Sequence, residues 1–214
     1  MQLYGYFRSS AAYRVRIALN LKGLEYITTP VHLTRGGGEQ HSAAYGAVNP
    51  EHLVPTLRDG DTLISQSLAI LEYLEERSPA PGLLPKAIGD RAWVRSIAAH
   101  LACDVHPLNN LRVLQYLENT LGASAEQKSA WIARWMLPAF EAIETRLVKN
   151  GKTGTCCFGD TPSIADCCLV PQVASARRFK VPLTDFPTIV RIDAHLNARV
   201  AFAEAAPGAQ ADAE

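Results

Sequence analysis

The sequence predicts a protein of two domains, a small α/β domain followed by an all-helical one. Three observations carry this prediction. Strand and helix patterns alternate up to Arg77, a segment rich in proline and glycine follows it, and every long apolar pattern after that has helical spacing. With 214 residues, 48% of them hydrophobic, the chain can fill two cores. We expect a first domain over residues 1–78, a linker over 79–90 and a helical domain over 91–214.

The first domain begins with a βαβ pattern. The stretch "QLYGYF" is typical of a strand, "AAYRVRIALNLK" has helical spacing, and "YITTPVHL" returns to β-branched residues. Two further strands are predicted in "VPTLRDGDTLIS", joined through Asp59-Gly60, and the amphipathic helix "QSLAILEYLEER" follows. This order packs as a four-stranded mixed sheet with helices on its faces, which is the thioredoxin-like arrangement.

The second domain is predicted from apolar patterns with helical spacing. They cover residues 91–117 with an interruption at Pro107, 125–149 with a kink at Pro138, 163–179, and about 187–203. The closing stretch "APGAQADAE" is small and polar, so we do not expect it to be ordered.

Charge and composition exclude several classes of partner. Lys+Arg and Asp+Glu both count 21, so no net charge attracts nucleic acid or an anionic membrane. No apolar run is long enough for a membrane span, and the N-terminal residues lack the pattern of a secretion signal. We expect a cytoplasmic protein that binds a small molecule or a second copy of itself.

The cysteines do not predict a metal site. Four of the five form two vicinal pairs, at positions 156–157 and 167–168, without the two-residue gap typical of zinc motifs. We interpret them as reduced thiols buried in a helical core, and we expect no metal. Near them, Ser163 and Asp166 have capping-box spacing, so we assign Asp166 a structural role.

Two adjacent serines stand where the first helix should begin. In a thioredoxin-like domain this helix starts at the end of the first strand, and its free N–H groups and positive dipole end favour a thiolate. Redox proteins of this fold carry Cys-x-x-Cys at that turn, whereas residues 9–12 read Ser-Ser-Ala-Ala. The sulfur must therefore arrive with the ligand. A hydroxyl of Ser9 or Ser10 would donate to it and lower its pKa.

Two further features fit a tripeptide thiol. The Val54-Pro55 bond is of the type that can be cis, and it would present the backbone of Val54 to an extended peptide. Gln66-Ser67 opens the next helix, where free amides and a hydroxyl would take the ligand's far carboxylate.

These residues carry a resemblance to a known family. The stretches "RSSAAYRVRIALNLKGLEY", "NPEHLVPTL", "ISQSLAILEYLEE", "HPLNNLRVL" and "GDTPSIADCCLVPQV" resemble zeta-class glutathione transferases, in particular the bacterial maleylacetoacetate isomerases. The resemblance spans nearly the whole chain. It implies the glutathione transferase fold, a homodimer and glutathione as the cofactor.

The resemblance also implies the residues of the site. Glutathione would be bound by Ser9, Ser10, Gln40, Val54, Gln66 and Ser67, with His106, Asn110 and Arg112 contributed by the helical domain. One position departs from the family, since Ala11 stands where many zeta enzymes have cysteine. This puts in doubt chemistry that needs an enzyme thiol, but not an isomerisation for which glutathione brings its own.

The implied reaction is the cis–trans isomerisation of maleylacetoacetate to fumarylacetoacetate in aromatic amino-acid breakdown. The nearest alternative is maleylpyruvate isomerase of gentisate breakdown. A general glutathione transferase or dehalogenase is a second alternative, and a non-catalytic glutathione-binding protein a third, which the intact serine and Gln66-Ser67 features disfavour.

A dicarboxylic substrate needs local positive charge in a chain of zero net charge. Arg8 precedes the serine pair, Arg112 lies in "NNLRVL", and Arg177 and Arg178 end a helix in "SARRF". A guanidinium binds a carboxylate through paired hydrogen bonds. We predict that Arg8 takes the end of the acid near the sulfur, and that Arg112 and Arg177 also bind substrate, Arg177 taking the distal carboxylate.

Overall fold

The computed structural model describes all residues, Met1–Glu214, and divides them into two compact units. The first unit comprises Met1–Leu84 together with Asn197–Glu214, and the second comprises Pro85–Leu196. No helix in either unit has both the length and the apolar character that crossing a membrane requires.

The first unit is a four-stranded mixed sheet flanked by helices. Its elements up to residue 84 are β1 (Gln2–Gly5), α1 (Ser10–Leu21), β2 (Ile27–Pro30), α2 (Ala43–Gly46), β3 (Thr56–Asp59), β4 (Thr62–Ser65) and α3 (Ser67–Arg77). The strand order is β2-β1-β3-β4, with β1 and β2 parallel and the other neighbours antiparallel. The predicted thioredoxin-like arrangement is confirmed, including the hairpin that joins β3 to β4.

Helix α1 is buried along most of its length because it packs between the sheet and other helices. Ala11 to Leu19 are all buried, and this run includes two charged residues, Arg14 and Arg16. The helix ends at Leu21, and Gly23, which follows the C-cap, has φ +62°, a left-handed conformation that glycine adopts without steric cost.

The second unit is helical. Its elements are α4 (Ile88–Ala99), a π-helical segment (His100–Val105), α5 (His106–Leu108), α6 (Leu111–Asn119), α7 (Ala125–Lys149), α8 (Ile164–Arg178) and α9 (Pro187–Asn197), of which the last reaches one residue into the first unit. The pattern predicted over 91–117 is interrupted around Pro107, as expected, and α7 contains Pro138 within its length. The core of this unit includes Phe140, Ile143 and the buried cysteines of α8.

The C-terminal segment differs from the prediction. The sequence predicts that residues 197–214 belong to the helical domain and that the last nine are not ordered, but all of them belong to the first unit. The short helix α10 (Val200–Ala203) buries Phe202 completely, and the Arg16 guanidinium donates to the carbonyl of Ala205 at 2.8 Å. Beyond it, the Asp212 carboxylate accepts from the Phe7 N–H at 3.1 Å. These few contacts thus hold the C-terminal segment in the first unit, although its last residues are small and polar.

Candidate active site

The register of the sheet brings three separate segments to one end of the first unit. Tyr4 of β1 lies opposite Thr56 of β3, and Thr56 lies opposite Ser65 of β4. The chain leaves β1 here into the loop before α1, enters β3 from Val54-Pro55, and leaves β4 into the first turn of α3. The same end of the sheet, where these strands begin or finish, therefore adjoins the serine pair, the Val54-Pro55 dipeptide and the start of α3.

The two serines of the first segment have different environments. Ser9 is the N-cap of α1, and its Oγ accepts a hydrogen bond from the Ala12 N–H at 3.2 Å. This contact fixes the Ser9 oxygen and leaves its O–H free to donate. Ser10 is the first residue of the helix, and the structure records no hydrogen bond of its hydroxyl. No acidic side chain occupies the first turn, so the positive end of the helix dipole is not neutralised there.

The second segment presents unpaired backbone groups. The Val54-Pro55 peptide bond is cis, as the sequence suggested. The preceding carbonyl, of Leu53, accepts from the Tyr45 hydroxyl at 2.6 Å and from the Asn49 amide at 2.9 Å, so the loop is held from within the unit. Neither the N–H nor the C=O of Val54 has a backbone partner in the chain. An extended peptide would satisfy both.

The third segment is a helix terminus without a cap. Gln66 is the N-cap of α3 with φ +68° and ψ +114°, a conformation rare for a residue other than glycine, and its side chain does not cap the helix. Instead, its Nε2 donates to Glu51 Oε2 at 2.6 Å. No acidic residue lies in the first turn, which leaves its N–H groups available to an anion. Ser67 opens the helix and is 6% exposed.

A buried arginine that sequence reasoning missed lies behind this terminus. The Nη1 of Arg14 donates to Ser67 Oγ at 3.0 Å. The signal was in the sequence, because Arg14 and Arg16 are the only charged residues in an apolar stretch of α1. Nothing in that pattern, however, indicated which group the guanidinium would meet.

Gln40, also predicted to bind glutathione, is turned toward its own loop. The residue is 7% exposed, and its Nε2 donates to the carbonyl of Leu33 at 3.3 Å. Its Oε1 is buried without a hydrogen-bond partner, and its backbone carbonyl pairs with His52 Nδ1 at 2.8 Å.

The predicted residues of the second unit lie close together along the chain. His106 opens α5, and Asn110 is the N-cap of α6, where its Oδ1 accepts from the Arg112 N–H at 3.2 Å. Asn110 therefore has a structural role that sequence reasoning missed. The Arg112 side chain is exposed and makes no ion pair.

The arginines predicted to bind substrate separate into two kinds. Arg8 is exposed, makes no ion pair, and lies over the Phe7 ring with its Cζ 4.8 Å from the centroid. Arg177, in contrast, pairs through Nη1 with Oδ2 of the buried Asp193 at 2.6 Å. Arg177 therefore already has one carboxylate partner within the chain, while half of its side chain stays exposed. Arg178 lies over the Phe179 ring at 4.4 Å.

All five cysteines lie in the second unit. Four are buried and reduced, and Cys103 is exposed. Burial raises the pKa of the Cys157 thiol well above its usual value, so it remains protonated and unreactive. No group of three histidine, cysteine, aspartate or glutamate side chains is close enough to hold a metal ion. The first unit thus contains no thiol of its own at the end of the sheet described above.

The assignment of Asp166 to a capping box is confirmed. Its Oδ2 accepts from the Ser163 N–H at 2.8 Å and from the Ser163 hydroxyl at 2.7 Å, and its Oδ1 accepts from the Cys157 N–H at 2.8 Å. Burial raises the pKa of Asp166, and these hydrogen bonds oppose the shift. The carboxylate joins the start of α8 to the loop before it.

Comparison with known proteins agrees with this fold. A family model for the N-terminal domain of glutathione S-transferases matches residues 8–77. A probable maleylacetoacetate isomerase of Vibrio cholerae is 49% identical over 99% of this chain and 97% of its own. The holo structure of a bacterial maleylpyruvate isomerase, described as a zeta-class glutathione S-transferase, superposes with a TM-score of 0.97 at 47% identity over the whole of both chains.

A further solved structure carries ligands. The maleylacetoacetate isomerase of Methylobacterium extorquens, with malonate and glutathione bound, superposes with a TM-score of 0.95 at 40% identity over the whole of both chains. Identity of this extent over full length, together with the shared fold, shows that the chain belongs to the glutathione transferase family, within its zeta class of maleylacetoacetate and maleylpyruvate isomerases.

Proposed function

We propose that the protein is a glutathione-dependent cis–trans isomerase that converts maleylacetoacetate to fumarylacetoacetate in aromatic amino-acid breakdown. The observation that carries the proposal is the convergence of three segments at one end of the first unit. They offer a hydroxyl donor, a free backbone edge and an uncapped helix terminus, and no cysteine. A tripeptide thiol with a terminal carboxylate is the ligand that needs all three.

The residues present fit glutathione. The Ser9 hydroxyl would donate to the sulfur, the N–H and C=O of Val54 would pair with the peptide backbone, and Ser67 would bind a terminal carboxylate at the start of α3. When bound, glutathione supplies a thiolate that adds to the cis double bond of the acid and leaves after rotation has given the trans product. Ser9 favours the thiolate form by a hydrogen bond to it.

Arginines of the chain would bind the acid. Arg8 lies between the first strand and the serine pair, and it has no competing ion pair. We therefore propose that it binds the end of the acid near the sulfur, either its carboxylate or the negative charge that develops there during the reaction. Arg177 remains the proposed ligand of the distal carboxylate, and its guanidinium also pairs with Asp193. Arg112, His106 and Asn110 remain proposed ligands on the resemblance alone.

The experiment that tests the proposal compares two substrate classes with the purified protein. Glutathione-dependent isomerisation of maleylacetone, a simple cis-enedione acid, should be far faster than conjugation of a chloronitroaromatic. A reversed preference would identify a general transferase. Glutathione binding with turnover of neither class would identify a non-catalytic binding protein.

Maleylpyruvate is the second candidate substrate, favoured by the TM-score of 0.97 to a maleylpyruvate isomerase. The chemistry is the same on a shorter acid. The ratio of kcat/KM for maleylacetoacetate to that for maleylpyruvate decides between the two, and we expect it to exceed one.

Replacing Arg8 with lysine should lower kcat/KM for the maleyl acid about 10-fold, a loss of the size expected when a charge-assisted hydrogen bond goes. Lysine keeps the charge but not the planar pair of donors that matches a carboxylate. The measurement is kcat/KM on the acid and on a neutral ester analogue, and the loss on the ester should be small. Equal losses on both would show that Arg8 is structural.

Arg177 and Arg178 form a matched pair for a second test. We expect Arg177→Gln to lower kcat/KM for the acid about 10-fold and Arg178→Gln to change it less. Arg177→Gln should also cost about 1–2 kcal/mol of stability, because its partner Asp193 is buried while Arg177 is half exposed. Kinetics and thermal unfolding of both variants check this. A larger kinetic loss in Arg178→Gln would contradict the assignment of Arg177.

We also propose a homodimer. Helix α6 buries none of its residues although leucines recur along it, and the edge strand β4 leaves Leu63 42% exposed. Apolar faces of this kind are covered in oligomers. Sedimentation at micromolar concentration should give twice the 23.3 kDa of one chain, and a particle of 23.3 kDa would contradict the proposal.

A further inference from the structure

Arg14 places a buried positive charge directly behind the start of α3. The residue is 1% exposed, and its Nη1 lies 3.0 Å from Oγ of Ser67, which is 6% exposed. Burying a guanidinium is costly unless its charge and donors are used. Here the charge faces the helix terminus that has neither an acidic residue in its first turn nor a side-chain cap.

The chemistry of the two groups determines the direction of their hydrogen bond. A guanidinium has only donors, so Ser67 Oγ is the acceptor in this contact. The single hydrogen of the Ser67 hydroxyl is therefore not used by Arg14 and is available to a second acceptor. A charged donor on the oxygen also polarises the hydroxyl and strengthens the hydrogen bond that it donates.

We propose that Arg14 is a positioning residue, which turns the Ser67 hydroxyl toward a terminal carboxylate of glutathione and sets the enzyme's preference for ligands that carry this carboxylate. The inference rests on the proposed function, because it requires glutathione at the start of α3. Arg14 acts through Ser67 and through its charge, and it needs no direct contact with the acid that is isomerised.

Arg16 provides the matched control. It is buried to the same extent on the same helix, and burial lowers its pKa to about 10. Its donors, however, bind backbone carbonyls, that of Ala205 at 2.8 Å and that of Phe7 at 3.1 Å. A substitution of Arg16 thus removes a buried guanidinium of α1 without touching Ser67.

The test measures dissociation constants by calorimetry for glutathione and for two analogues, each lacking one terminal carboxylate: 4-aminobutanoyl-cysteinyl-glycine and γ-glutamyl-cysteine methylamide. The unmodified protein should bind one analogue at least 10-fold more weakly than glutathione. Ser67→Ala and Arg14→Gln should each reduce this discrimination several-fold, Arg14→Lys should restore part of it, and Arg16→Gln should leave it unchanged. In kinetics, Arg14→Gln should raise KM for glutathione more than it lowers kcat.

The outcomes separate the inference from the function on which it rests. Suppose that the unmodified protein prefers glutathione to an analogue and that Ser67→Ala loses this preference. If Arg14→Gln then keeps the full preference, the role of Arg14 is rejected and the proposed function stands. If the unmodified protein does not bind glutathione, both are rejected. If it binds all three ligands equally, only the inference is rejected. Equal effects of the Arg14 and Arg16 variants would mean that Arg14 is merely structural.

A structure of the unmodified protein with glutathione decides the matter if the Arg14 variants do not fold. In this complex we expect Ser67 Oγ to lie within hydrogen-bond distance of both Arg14 Nη1 and a carboxylate oxygen of the ligand. A carboxylate bound elsewhere, or a Ser67 hydroxyl turned to a backbone carbonyl, would overturn it.

Discussion

Replacing Ser9 with alanine is expected to lower kcat about 10-fold or more and to raise the pKa of the bound glutathione thiol. Each loss of ~1.4 kcal/mol in the stabilisation of the thiolate corresponds to a factor of ten. The effect follows from the geometry of the N-cap. The Ala12 N–H fixes the Ser9 oxygen, so the O–H is a pre-oriented donor and no cysteine of the first unit can replace it.

Ser10→Ala is the control for this prediction. The Ser10 hydroxyl is not fixed by a hydrogen bond in the chain, so we expect the smaller kinetic effect there. Because Ser9 also caps α1, Ser9→Ala should cost about 1 kcal/mol of stability as well, and thermal unfolding of both variants measures that contribution separately. Full activity in both variants would refute the role of the serines.

Replacing Asp166 with alanine is expected to destabilise the protein by about 2–4 kcal/mol, since three donors in a fully buried place lose their acceptor. For a chain of this length, such a loss lowers Tm by about 5–15 °C. Asp166→Asn should also destabilise the protein. One carboxylate oxygen would become an amide NH₂ group, which is a donor, and it would face a backbone N–H or a hydroxyl that also donates. Differential scanning calorimetry of the purified variants measures the effect.

Asp160→Ala is the matched control. This exposed aspartate accepts from the N–H and the hydroxyl of Thr155, at 2.8 and 3.1 Å, in the loop before α8. Its loss should lower Tm by a few degrees at most, because water replaces an exposed acceptor. If Asp166→Ala retained the parental Tm while losing activity, the carboxylate would have a catalytic and not a structural role.

The sequence was most informative where local patterns determine local structure. Strand and helix periodicity predicted the order of elements in the first unit, and the Ser163–Asp166 spacing predicted a helix terminus. The prediction that the sulfur arrives with the ligand also came from one local feature, serines in place of cysteines at the start of α1. Each of these signals lies within a few residues of the structure it predicts.

Contacts between distant segments could not be predicted in this way. The hydrogen bond from Arg14 to Ser67 joins residues 53 positions apart, and the pairing of Arg177 with Asp193 joins α8 to α9. The C-terminal segment was misassigned for the same reason, because Phe202 and Ala205 bury themselves against α1, almost 190 positions earlier in the chain. Composition says whether a segment is apolar or charged, but not which partner it meets.

The most direct test of the account is a titration of the thiol of bound glutathione. The ultraviolet absorbance of the thiolate is followed against pH for glutathione alone, for glutathione bound to the unmodified protein, and for glutathione bound to Ser9→Ala. We expect the bound thiol to have a pKa below that of free glutathione. In Ser9→Ala, the pKa of the bound thiol should rise and recover most of this difference. A bound thiol that titrates as free glutathione does, in a protein that still catalyses the isomerisation, would contradict the claim that this helix terminus activates the sulfur.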